Sequence, residues 1–136
     1  MIFVDASALA AIILREPEAD RFIDALSRGE RAVTSPLSVF EAALAVRRRF
    51  ESTVHEAVAD VDELVSDLAI EIVPIERSQG HSALEAFDRF GKGRHPAALN
   101  MGDCFAYALA KAHGAALLFK GDDFVKTDIA VAVELS

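Results

Sequence analysis

Apolar residues along the chain form either short continuous runs or stretches with a spacing of three and four residues. Uncharged runs at 2–4, 32–34 and 115–119 are typical of buried parallel strands. A further run at 71–75 contains Pro74, which indicates an edge strand or a strand end. Residues 129–134 alternate weakly and suggest a final edge strand.

Helical spacing predicts six helices, at 8–14, 17–28, 37–51, 54–68, 78–90 and 100–112. Pro17 and Pro36 suit the first turn of a helix, and Gly29 and Gly91 suit the position after a helix end. Gly80 is expected to interrupt the fifth helix near its start. Alternation of strands and helices predicts one three-layer α/β domain over residues 1–136, with a mainly parallel sheet.

Asp5 directly follows the first predicted strand, where the next helix begins. Ligands of open α/β sheets bind in the crevice at the carboxyl ends of the strands, so Asp5 is expected to face that crevice. The alternative is a capping role, in which Asp5 or Ser7 accepts a hydrogen bond from the first N–H groups of the helix.

Two more acids occupy helical positions that need an explanation. Glu41 shares one face of the third helix with Leu37 and Leu44, and a carboxylate within an apolar stripe requires a partner. A solvated position at the edge of that stripe is the alternative. Asp103 lies in the first turn of the sixth helix, where the helix dipole favours an acid.

The sixth helix is rich in alanine and is expected to be almost wholly buried, with a core stripe. The residues of that stripe are Met101, Phe105, Ala108, Leu109 and Ala112. A buried helix leaves Asp103 in need of a cationic partner.

Asp122 and Asp123 follow the last strongly apolar strand and complete the set of acids at strand ends. Carboxylates that converge raise one another's pKa unless a cation lies among them. Oxygen ligands favour Mg²⁺ or Mn²⁺, and no set of Cys and His ligands competes with them. Such a site can activate a water for attack on a phosphodiester.

The net charge of −8 and the pI near 4.9 argue against passive, sequence-independent binding of nucleic acid. Cations are concentrated in the glycine- and proline-containing segment 91–96, where Lys92, Arg94 and His95 are expected to be displayed on a mobile loop. This loop is either a contact for RNA phosphates or a plain connector. Arg47, Arg48 and Arg49 are interpreted as a solvated helix end that complements the helix dipole, rather than as a dedicated phosphate clamp.

The remaining composition narrows the class of protein. Cys104 is the only cysteine, which excludes an internal disulfide and fits a reducing compartment. No apolar run is long enough to span a bilayer and no basic segment opens the chain, so a cytoplasmic protein is expected.

Four segments jointly resemble a PIN-domain ribonuclease of the VapC type, the toxin half of a toxin–antitoxin pair. They are Met-Ile-Phe-Val-Asp-Ala-Ser-Ala-Leu at 1–9, Ser-Val-Phe-Glu at 38–41, Leu-Asn-Met-Gly-Asp-Cys-Phe-Ala-Tyr-Ala-Leu-Ala at 99–110, and Leu-Phe-Lys-Gly-Asp-Asp-Phe at 118–124. The resemblance covers nearly the whole chain. It implies a Mg²⁺- or Mn²⁺-dependent endoribonuclease that acts on a structured RNA such as transfer RNA, is inhibited by a cognate antitoxin and forms homodimers.

The resemblance also assigns roles to residues. It implies that Asp5, Glu41 and Asp103 are catalytic and metal-binding acids, and that Asp123 is the fourth, with Asp122 as its alternative. Supporting polar groups would be Ser7 and Asn100.

Three other classes remain to be compared with this one. A haloacid-dehalogenase-type phosphotransferase needs a second Asp where this chain has Ser7, and a receiver domain needs an acid pair that Ala6 does not provide. A non-catalytic binding module of the same fold would have lost acids, and none is lost here.

Overall fold

The computed structural model describes residues 1–134 as four parallel strands between two layers of helices. The strands are β1 (Ile2–Val4), β2 (Ala32–Thr34), β3 (Glu71–Ile72) and β4 (Ala116–Leu118). The helices are α1 (Ala6–Ile13), α2 (Ala19–Leu26), α3 (Pro36–Phe50), α4 (Val54–Asp67), α5 (Arg77–Phe90) and α6 (Met101–Ala112). The predicted three-layer α/β fold is confirmed.

The strands are arranged in the order β3-β2-β1-β4, so that β1 is central. Ile2 lies opposite Ala32 of β2 and opposite Ala116 of β4, and all pairs are parallel. The chain moves from β1 to β2 and β3 on one side and then returns to β4 on the other side. The connections therefore diverge between β1 and β4, and the crevice expected at such a point opens at the carboxyl ends of these two strands.

Alternate side chains of β1 face two separate cores. Ile2 and Val4 pack with apolar residues of α1, α2, α3 and α4, whereas Phe3 packs with those of α5 and α6. This follows from the alternation of side chains across a strand. No helix of residues 1–134 is both long and apolar enough to cross a membrane.

Several predicted boundaries differ from the structure. Helix α5 passes through Gly80 without a break, because one glycine costs only about 1 kcal/mol and the helix also buries Ala83, Ala86 and Phe90. The proline-containing strand is shorter than predicted, but it lies at the edge of the sheet as expected. The predicted final strand is reduced to a single bridge between Leu117 and Val131, since the chain bends directly after Val131.

Candidate active site

Asp5 is held at the carboxyl end of β1, next to β4. Its backbone N–H donates to the carbonyl oxygen of Leu118 at 3.0 Å, and the residue is 5% exposed. Its Oδ2 accepts hydrogen bonds from the N–H of Ser7 at 3.1 Å and from the hydroxyl of Ser7 at 2.6 Å. Asp5 is thus both the N-cap of α1 and a buried acid in the crevice, so the two predicted roles coexist.

Ser7 also connects Asp5 to the segment that follows β4. The backbone N–H of Lys120 donates to Ser7 Oγ at 3.0 Å. The ammonium group of Lys120 forms ion pairs with Glu16 and, at 3.3 Å, with Glu18. The charge of Lys120 is therefore neutralised by two acids between α1 and α2, and not by Asp5.

Asp103 and Asn100 form a reciprocal cap at the start of α6. The N–H of Asp103 donates to Asn100 Oδ1 at 2.9 Å, and the N–H of Asn100 donates to Asp103 Oδ2 at 3.1 Å. Asp103 is half-buried. Asn100 therefore fixes the orientation of the Asp103 carboxylate.

Glu41 reaches the site from α3 by lying against α6. A Cβ atom built on Gly102 would overlap both carboxylate oxygens of Glu41. The predicted apolar stripe around Glu41 is wrong, because Leu44 is exposed and Leu37 is only half-buried. The buried face of α3 consists of Ser38, Ala42, Ala43 and Val46. Glu41 lies beside this face, at the contact between the two helices.

Negative charge is concentrated among these acids. Burial raises the pKa of Glu41 to about 7, and the charges of Asp5 and Asp103 contribute to this rise. Burial raises the pKa of Asp103 to about 6, although the bond from the Asn100 N–H opposes it; Asp5 and Asp123 add to the rise. Burial also raises the pKa of Asp5, against the hydrogen bonds from Ser7.

Within residues 1–134, no side chain supplies the cationic partner expected for Asp103. In the part of the chain that the structure describes, Asp5, Glu41 and Asp103 take part in no ion pair. Crowded carboxylates without a counter-charge are the electrostatic arrangement that a bound cation relieves.

Asp122 and Asp123 differ in their surroundings although both are exposed. The charge of Asp123 acts on Asp103, whereas Asp122 lines a separate surface cavity of about 430 Å³ together with Phe119 and Val131. Asp123 therefore adds to the negative charge around Asp103, and Asp122 lies in different surroundings.

The donor atoms of the site suit a hard cation, since all of them are carboxylate oxygens. Within residues 1–134, no three acidic, His or Cys side chains are arranged as a ready-made metal site. Mg²⁺ does not need one, because it commonly binds through one or two carboxylates and keeps several waters. The crevice residues therefore fit a divalent ion by chemistry and charge.

The cationic segment 91–96 is more ordered than the sequence suggested. Arg94 forms an ion pair with Asp88 at 2.6 Å. His95 is half-buried, accepts a bond from the N–H of Ala97 at Nδ1, and meets the ring of Phe90 edge-on. Only Lys92 of the three predicted cations is exposed without an ion pair among the described residues.

Sequence reasoning missed the contact of Gly102 with Glu41 and wrongly placed Met101 and Ala112 in the core. Met101 is 66% exposed and Ala112 is also exposed. The buried face of α6 includes Cys104, Ala106, Tyr107 and Leu109 instead. The sequence feature that could have indicated the contact with Glu41 is Gly102 itself, a glycine directly before an acid in the first turn of a helix.

Comparison with known proteins identifies the family to which the chain belongs. The model of the PIN domain matches residues 2–130. Ribonuclease VapC30 of Mycobacterium tuberculosis is 41% identical over 127 residues, which cover 93% of this chain and 95% of that protein. A VapC ribonuclease of Rhizobium meliloti is 41% identical over 141 residues, covering 95% and 99% of the two chains. The chain belongs to the PIN-domain family and, within it, to the VapC ribonucleases.

Solved structures agree on the fold. VapC20 of Mycobacterium tuberculosis, described as a toxin that cleaves the sarcin–ricin loop, has a TM-score of 0.77 at 19% identity and covers 99% of this chain and 100% of its own. A toxin–antitoxin complex from Klebsiella pneumoniae gives a TM-score of 0.70 at 14% identity, with coverage of 99% and 100%. The predicted class of enzyme, a ribonuclease of the VapC type, is confirmed by the curated relatives.

Proposed function

We propose that this chain is an endoribonuclease that depends on Mg²⁺ or Mn²⁺ and cuts RNA in the crevice between β1 and β4. The observation that carries the proposal is the group of mutually repelling carboxylates, for which residues 1–134 offer no protein cation. VapC ribonucleases of the PIN-domain family generally depend on a divalent metal. The choice of Mg²⁺ or Mn²⁺ rests on the oxygen-only donor set.

Each acid has a proposed role in this reaction. Asp5 and Asp103, whose orientations are fixed by Ser7 and Asn100, would hold the ion, with Glu41 and Asp123 beside them. A bound divalent ion would polarise the phosphodiester and lower the pKa of the attacking water. Glu41, whose carboxylate lies over α6 beside Asp103, would accept the proton that this water releases.

We propose a structured RNA, such as transfer RNA, as the substrate. The net charge of −8 opposes RNA over most of the surface, so contact with phosphates requires local cations. Lys92 remains a candidate for this contact, while Arg94 must exchange its bond to Asp88 for one to phosphate. The activity is proposed to take place in the cytoplasm, where such RNAs occur.

A cognate antitoxin and a second copy of the chain are the proposed protein partners. Support for an antitoxin comes from the toxin–antitoxin complexes that share the fold, including VapBC2 of Rickettsia felis bound to a DNA fragment of its promoter. The TM-score of that second complex is 0.73 at 14% identity, and it covers 96% of this chain. Light scattering of the purified chain would test the dimer: a mass of twice 14.6 kDa is expected, and a monomer would contradict it.

The activity is tested by incubating the purified chain, freed of any partner, with transfer RNA and total RNA. Cleavage is expected with Mg²⁺ or Mn²⁺ and not with excess chelator, because the acids then lack the ion that activates water. The matched control is Asp103→Asn, which retains a capping oxygen. Cleavage of equal rate in chelator would overturn the metal-dependent mechanism.

A further inference from the structure

The backbone conformation at position 102 does not require a glycine. Gly102 lies in the first turn of α6 with an ordinary negative φ, since it is not among the residues with a positive φ. Glycine is the poorest helix former apart from proline, so alanine at this position would favour the helix. The residue therefore answers a need other than backbone conformation.

The space above Gly102 is occupied by one side chain. The three atoms nearest to a Cβ built at Gly102 are the two carboxylate oxygens and Cδ of Glu41, all too close for a real contact. Gly80, in contrast, is also inside a helix, and a Cβ built there meets nothing within 4 Å. The chain thus contains one helical glycine whose missing side chain is filled by a carboxylate and one whose missing side chain is not.

The carboxylate that uses this space is the one on α3. Glu41 must reach across the contact between α3 and α6 to approach Asp5 and Asp103, whose charges act on it. Gly102 is buried and directly precedes Asp103. A methyl group at this position would displace the flexible end of Glu41, at little cost to the fold, away from its present place.

We propose that Gly102 is a positioning residue, whose missing side chain lets the carboxylate of Glu41 lie over α6 within the acidic site. The inference rests on the proposed function for the use made of that carboxylate. It adds to that function a requirement of shape at a residue that bears no functional group.

The test compares Gly102→Ala with Gly80→Ala as the matched control, each measured by thermal melts with and without Mn²⁺. Both variants are expected to melt at or above the parent temperature in chelator, because alanine favours a helix. Gly80→Ala should keep the full Mn²⁺-induced shift and the parent kcat. Gly102→Ala should lose most of the shift and about a hundredfold in kcat, since misplacement of a group by about 1 Å has effects of that size.

The route through Glu41 is tested with Glu41→Ala, alone and combined with Gly102→Ala. If Gly102 acts through Glu41, the double variant should show the same Mn²⁺-induced shift as Glu41→Ala alone. A further loss in the double variant, or an unchanged shift in Gly102→Ala, would overturn the proposal. Should Gly102→Ala fail to fold, the double variant must fold, because the obstructing carboxylate is then gone; an unfolded double variant would also overturn it.

Failure of the metal site can be separated from failure of this inference. If the parent itself shows no Mn²⁺-induced shift, the proposed function has failed. The placement of Glu41 is then decided by crystal structures of the three metal-free proteins. The Glu41 carboxylate should lie over position 102 in the parent and in Gly80→Ala and should be displaced from α6 in Gly102→Ala; the same position in all three proteins would refute the role of Gly102.

Discussion

Burial, with a further contribution from neighbouring negative charges, raises the pKa of the carboxyl groups of Glu41 and Asp103. Their pKa values rise from 4.5 to about 7 and from 3.8 to about 6. Between these limits the folded chain holds more protons at these sites than the unfolded chain. These two groups therefore make the free energy of unfolding of the metal-free protein fall as pH rises from about 4 to about 7.

Glu41→Gln should remove part of this pH dependence, because a neutral amide neither titrates nor repels Asp5 and Asp103. In chelator, the stability of the variant relative to the parent should increase progressively as pH rises from 4.5, the ordinary pKa of glutamate, to about 7, the pKa of Glu41 in the folded protein. Urea unfolding at several pH values from 4 to 8 measures the difference. A constant difference between the two proteins across this range would show that neither burial nor the neighbouring acids raise the pKa of Glu41.

At the same scale, some site residues were predictable from the sequence and others were not. The position of Asp5 follows from a strand end and that of Asp103 from a helix start, both of which are local patterns. The contact between Glu41 and Gly102 depends on how two distant helices pack, which spacing along one helix does not specify. The apolar positions around Glu41 were accordingly assigned to the wrong face.

Among the elements, the segment after β4 carries two candidates for the fourth acid of the site. Two adjacent aspartates are available, and neighbouring residues in an irregular segment have no fixed facing direction. Asp123 is the proposed fourth acid, because its charge acts on Asp103 whereas Asp122 lines another cavity. Both are exposed, so their replacement has little effect on packing.

Asp123→Asn should therefore slow RNA cleavage and reduce the Mn²⁺-induced rise in melting temperature, while Asp122→Asn should leave both near the parent values. The two variants carry the same chemical change at adjacent exposed positions, which makes each a control for the other. Cleavage assays and melts are made on both proteins. If Asp122→Asn loses more cleavage activity and more of the Mn²⁺-induced rise than Asp123→Asn, then Asp122 is the fourth acid and the assignment of Asp123 is wrong.

The strands were predicted well because each buried strand is a short uncharged run between turn residues. The helices were predicted in number and order, with ends shifted by a few residues. The errors arose where tertiary packing decides the outcome, as at Gly80, which the helix tolerates, and at residues 129–134, where a bend ends the pairing at Val131. Such effects leave no periodic signal in the sequence.

For the whole molecule, RNA binding must overcome a net charge of −8. Arg47, Arg48, Arg49 and Lys92 are exposed, and in residues 1–134 they form no ion pair. They are thus exposed cations that α3 and the segment after α5 offer for contacts with phosphates. Arg94 offers less, because its charge is matched by Asp88.

Replacement of Lys92 and of the arginines 47–49 by Gln should weaken RNA binding and reduce its dependence on salt. Each lost phosphate contact should lower the slope of log affinity against log salt by about 0.7 to 0.9. Binding is measured in the Asp5→Asn background to prevent cleavage. Arg31→Gln is the control, since Arg31 precedes β2 at the opposite end of the sheet and pairs with Glu71. An unchanged slope would identify these cations as solvated surface groups.

The central claim is that Asp5 and Asp103 hold a divalent ion in addition to capping their helices. Asp→Asn retains an oxygen for the caps seen at both positions, so with capping alone each variant would stay close to the parent in stability, with or without added metal. In chelator, each variant should be as stable as the parent or more stable, because one buried like charge is removed.

The decisive measurement is a thermal melt of the parent, Asp5→Asn and Asp103→Asn, each with and without Mn²⁺. The parent should gain about 2.7 kcal/mol when free Mn²⁺ is a hundred times its dissociation constant, and the variants should gain far less. Equal Mn²⁺-induced shifts in all three proteins would contradict the account, because the ion would then bind without these two aspartates.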